Sequence, residues 1–100
     1  MPNPTTTAPA PSPVIGRARA ALLILEHAER LGLPMPFALD ITDHTDRLGL
    51  MFRSVADVAE WALWLDVPVT EEIYPDNVHH VAVGDALDQP VRLVRVERTQ

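Results

Sequence analysis

The sequence predicts an α+β fold: a two-layer sandwich with two helices on one face of a mostly antiparallel four- to five-stranded sheet, in the order αββα(β)ββ. Three observations lead there. Segments beginning at Pro13 and Val55 carry apolar residues at helical spacing, each behind a serine. Between them Phe37, Leu39 and Ile41, then Leu48, Leu50 and Phe52, alternate with their neighbours at the period of a strand. After the second helical segment, Val78–Val83 and Val91–Val96 are rich in β-branched residues.

Each element has a local reason. Residues 1–12 hold four prolines, three threonines and no charged side chain, too little apolar surface to offset the entropy of ordering. They are expected to form a flexible tail, dispensable for folding, ahead of a single domain spanning residues 13–100. Ser12 and Pro13 suit the cap and first position of a helix. Its expected inner stripe is Val14, Ala18, Ala21, Leu22, Leu25 and Ala28, centred on Leu25. Gly32 should close it and Pro34 prevent its continuation.

The turn-like Asp43-His44-Thr45-Asp46 then joins two strands into a hairpin. Ser54-Val-Ala-Asp57 resembles a shortened capping box, opening a helix to about Leu65. Val55, Val58, Ala59, Ala62 and Leu65 are assigned to its inner face. Val69 to Tyr74 forms a short strand before Pro75-Asp76-Asn77, and Gly84 to Pro90 is expected to be the loop between the last two strands. At an offset of 34 residues Leu31, Pro34, Leu39 and Asp43 match Leu65, Pro68, Ile73 and Asn77, so both halves read as a helix followed by strands.

Composition narrows function more by exclusion than by indication. A 47% hydrophobic share excludes a wholly disordered chain, and no apolar run approaches the roughly 20 residues of a membrane span. No cysteine is present, which removes disulfides, thiolate metal sites and a cysteine nucleophile. Fourteen acidic against eight basic residues give a net charge of -6, which opposes general nucleic-acid binding. All the basic residues are arginine, consistent with the codon usage of a GC-rich genome. The start, Met1-Pro-Asn-Pro-Thr, has neither the basic residues nor the apolar stretch of a signal peptide, so a cytoplasmic location is expected.

Few constellations suggest chemistry. His79 and His80 are adjacent on a strand, so their side chains point to opposite faces and cannot easily share an ion. With Val81 and Val83 assigned to the core, His79 would lie inside and His80 outside. Asp40, Asp43, His44 and Asp46 gather oxygen ligands, but without the spacing or glycine of a calcium loop. Arg92 and Arg98 share a strand face that Arg95 opposes, and Arg47 and Arg53 are assigned to an earlier strand. Ser12 and Ser54 serve best as caps, and no phosphate-binding or dinucleotide loop is present.

The run Ser54-Val-Ala-Asp-Val-Ala-Glu-Trp-Ala-Leu-Trp-Leu, after a hairpin and ahead of Gly84 and Val91-Arg92-Leu93-Val94, resembles small uncharacterised actinobacterial α+β proteins. The resemblance spans about residues 14–96 and implies the fold but no activity.

The functional expectation is a non-catalytic protein-interaction or regulatory module that requires no cofactor. Trp64 and Leu23 are its expected contact residues, because helical spacing sets each among polar neighbours. The partner is a protein, a second copy of the chain included. Two other readings carry specific residues or charge: a small-ligand or metal-binding protein using the His44/His79/His80 region, and an acidic decoy of a nucleic-acid-binding protein.

Overall fold

The computed structural model describes residues 12–42 and 44–99. Of the Pro/Thr-rich tail expected over residues 1–12, residues 1–11 lie outside the described residues, and Ser12 is the cap of the first helix. The elements are α1 (Pro13–Arg30), β1 (Ala38–Asp40), β2 (Leu48–Met51), α2 (Val55–Leu65), β3 (Thr70–Ile73), β4 (Asn77–Ala86) and β5 (Gln89–Arg98). The strands form one five-stranded sheet in the order β1-β2-β5-β4-β3. All neighbours are antiparallel except β2 and β5, which run parallel. The α+β class expected from the sequence is the fold observed.

Both helices begin and end as local chemistry dictates. The Ser12 hydroxyl accepts from the Val14 amide at 3.2 Å, and the Ser54 hydroxyl accepts from the Asp57 amide at 3.1 Å. At the end of α1, Gly32 takes φ 79°, Gly32 N–H donates to the Glu29 carbonyl and Leu33 N–H to that of Ala28. Asp66 plays the same part after α2 with φ 59°, as Val67 N–H donates to the Ala62 carbonyl and Asp66 N–H to that of Leu63. Removing one cap is a limited lesion: Ser54→Ala is expected to lower stability by about 1 kcal/mol in a denaturant melt.

The core lies between helices and sheet. Ala21, Ile24 and Ala28 of α1 and Val58, Trp61 and Ala62 of α2 pack with Leu48, Leu50, Phe52, Ala82, Ala86, Val91 and Leu93. The registers place these strand residues on one face, since Leu48 and Leu50 stand beside Val91 and Leu93, which oppose Gly84 and Ala82. Gly84 suits the close approach there: a Cβ at that position would meet Val67 Cγ1 at 3.0 Å, so a larger residue would require Val67 to give way. The half-to-half echo corresponds to two helix–hairpin units, α1-β1-β2 and α2-β3-β4, at opposite edges of the sheet with β5 between them.

Four local expectations are corrected. On α1 the buried arc is rotated from the expected stripe: Ile24 is in the core, Leu25 is half-buried, and Val14, Ala18 and Leu22 are exposed. On α2, Trp61 is central to the inner face and 0% exposed, whereas Ala59 is outside. Residues 84–90 are not a loop. The strands run on to a two-residue turn, Leu87-Asp88, whose φ values of 49° and 69° match the twist of a tight hairpin. Finally, it is Ala82 and Ala86, not Val81 and Val83, that face the helices. The central strands are apolar on both faces, so alternation alone offers no way to choose between them.

Candidate functional site

Because the helices cover one face of the sheet, the other is left open, and its register assigns its residues. Arg92, Val94 and Val96 of β5 lie beside Val83, Val81 and His79 of β4 on one flank, and Gly49 and Met51 of β2 on the other. Asp40 of β1 sits across from Gly49, and Glu72 of β3 across from His79. Asp40, Thr45, Arg47, Gly49, Met51, His79, Arg92, Val94 and Val96 line a groove of about 350 Å³ on this face.

The groove has an apolar floor and a polar rim. The Arg92 guanidinium meets Glu72 Oε1 at 3.1 Å. Arg92 stands opposite Val83 and Glu72 opposite His79, so the pair bridges β4 above Val81. That cover is why Val81 is only 3% exposed on a face with no helix. Tyr74 donates from its hydroxyl to the same Glu72 oxygen at 3.2 Å, and its ring lies 4.6 Å from that of His79. His79 Nδ1 is buried without a hydrogen-bond partner. The loop above the groove is shaped by hydrogen bonds to its own backbone: Thr45 Oγ1 accepts from the Arg47 amide, and Gln89 Nε2 donates to the Asp46 carbonyl at 2.7 Å.

His80 lies on the opposite, helix-side face, with Ala82. Its Nε2 is 3.0 Å from Glu97 Oε1 and its Nδ1 is 3.6 Å from Glu71 Oε2. The inside and outside positions expected for these two histidines are thus reversed, because the core face of β4 is the alanine face. His44 lies exposed in the β1–β2 connection. The three histidines are not brought into one site, and the described residues hold no group of three or more His, Asp or Glu arranged for a metal ion.

Trp64 is not on an outward polar face. It is half-buried against the core, its ring 5.6 Å from Trp61 and 5.7 Å from His27 of α1. Helix α1 supplies the cover that the sequence pattern of α2 alone could not show. Leu23 is exposed at 62%, joined by Leu22 at 60% and by Leu63 on α2 at 82%. Sequence reasoning misses Leu22 and Leu63: the first falls within the expected buried stripe, and the second lies in an apolar run where no single exposed residue stands out.

Among the described residues no helix is long and apolar enough to cross a membrane. Comparisons with protein-family models, curated proteins and solved structures returned no match for this chain.

Proposed function

We propose that this protein is a non-catalytic cytoplasmic interaction module, and that the outward face of α1 is a contact surface for a second copy of the chain. One observation carries the reading. At about 100° per residue, Leu22, Ile15, Glu26, Arg19 and Leu23 fall within about 100° of arc, directly opposite buried Ala21, Ile24 and Ala28. Two exposed leucines at mid-helix, flanked by one arginine and one glutamate, make a self-complementary patch.

An antiparallel crossing between Leu22 and Leu23 sets Leu22 against the partner's Leu23, and Arg19 against the partner's Glu26. Two-fold symmetry repeats both contacts. Leu23 thus keeps the contact role expected from the sequence. Trp64 borders the surface through His27, one helical turn after Leu23 on the same face of α1.

The test is a charge swap read by sedimentation equilibrium. Wild type should dimerise reversibly. Arg19→Glu, which sets like charges opposite each other twice, should weaken the dimer about tenfold. Adding Glu26→Arg to that variant should restore it. A monomeric wild type, or a double variant no tighter than the single one, would refute the contact.

A further inference from the structure

We infer that the groove on the open face of the sheet is a binding site for a small amphipathic organic anion, a carboxylate carried on an apolar body. The proposal is independent of the helix-face contact, which lies on the other side of the sheet.

Three features of the groove support it. Its floor is apolar, with Met51, Val94 and Val96 lining it, and its volume of about 350 Å³ falls within the ~300–1,000 Å³ range of small-molecule sites. Gly49 contributes no side chain, which keeps the floor open beside Asp40. Its charge is balanced where that of the chain is not. The protein carries -6, whereas here Arg47 and Arg92 stand with Asp40 in the lining and with Glu72, which pairs Arg92.

The donors at the rim are of two kinds. Arg92 is already held by Glu72, which fixes its guanidinium over the sheet. Arg47 makes no ion pair among the described residues, and its planar fork is free to receive a carboxylate in two parallel hydrogen bonds. His79 completes the lining, with its Nδ1 buried and without a hydrogen-bond partner. An apolar body on Met51, Val94 and Val96 with its carboxylate at Arg47 matches apolar to apolar and charge to charge. A cation would be repelled by Arg47, and a neutral alcohol would leave it unmatched.

Decanoate, decyltrimethylammonium and decanol form a probe set with a common chain and three charges. Each is titrated, below its aggregation threshold, into isotope-labelled protein at a concentration where the chain is monomeric. Decanoate is expected to shift the amide resonances of Gly49, Met51, Val94 and Val96 saturably and to raise the melting temperature. Decyltrimethylammonium and decanol should bind at least about tenfold more weakly, and Arg47→Gln should cost decanoate a similar factor.

Arg47 is exposed, so that variant should keep the wild-type spectrum without ligand. Val96→Glu, which places a carboxylate over the floor, should abolish binding. Equal affinity for decanol, shifts centred on Leu22, Leu23 and Leu63 instead of the sheet, or an unchanged affinity in Arg47→Gln would each overturn the assignment.

Discussion

Trp61→Ala is expected to lower stability by roughly 3–5 kcal/mol, the range for removing a large buried aromatic side chain. Domains of this size have a margin of about 5–15 kcal/mol, so the variant should melt far earlier in urea than wild type. Three contacts make Trp61 the keystone of the helix layer. The side chain is fully buried. Its ring lies 5.5 Å from Phe52 at the end of β2 and 5.6 Å from Trp64. Its Nε1 donates to the Pro34 carbonyl at 2.6 Å, tying the segment between α1 and β1 to α2. Trp61→Phe separates these terms. Phenylalanine keeps an aromatic surface against Phe52 but leaves the Pro34 carbonyl without its donor, so roughly 1–3 kcal/mol of the loss should persist. A loss below about 1 kcal/mol in Trp61→Ala would contradict the packing described.

The elements are legible in the sequence because their signals are local. Ser12, Ser54, Gly32 and the alternation of Leu48, Leu50 and Phe52 each act through backbone bonds or side-chain periods that need no tertiary partner. What the sequence hides is whatever depends on a second element. The hairpin at Leu87-Asp88 holds positive φ without glycine or asparagine, so it carries no turn signature. Gly84 and Pro90 read as loop residues, yet Gly84 pairs with Val91 in the strand, where its lack of a side chain leaves room for Val67. Pro90 opposes Asp85, one pair beyond the pair that closes the two-residue turn. In such a hairpin that pair is not hydrogen-bonded, so a missing N–H costs β4 nothing. The groove is less legible still. Asp40, Arg47, His79 and Arg92 are scattered along the chain and meet only because β2 lies parallel to β5 at the centre of the sheet. In the sequence His79 stands out through its neighbour His80, a pairing that the two faces of the sheet undo.

The rotation of α1 yields the second large effect. Ile24→Ala is expected to cost roughly 2–5 kcal/mol, because the side chain is buried among Ala21, Ala28 and the sheet and its loss leaves a cavity. Leu25→Ala, which the stripe in the sequence would make the most damaging change in this helix, should cost less, since Leu25 is only half-buried. Leu22→Ala should change monomer stability by no more than about 0.5 kcal/mol, as expected for a surface site. The physical cause is the phase of the helix. Val14, Ala18 and Leu22 are as apolar as Ala21, Ile24 and Ala28, and the two sets lie side by side around the axis. The sequence therefore specifies an apolar arc wider than one packing face, and the core takes the half containing Ile24. Leu22, at the outer edge of the remaining half, is also the first residue of the outward arc that the helix-face contact would use. The three variants thus distinguish neighbouring faces of one helix: Ile24→Ala should act on urea melts of the monomer, and Leu22→Ala on sedimentation of the dimer. If Leu22→Ala destabilises the monomer as much as Ile24→Ala does, Leu22 is a core residue, and the helix surface assigned to the second copy is not free.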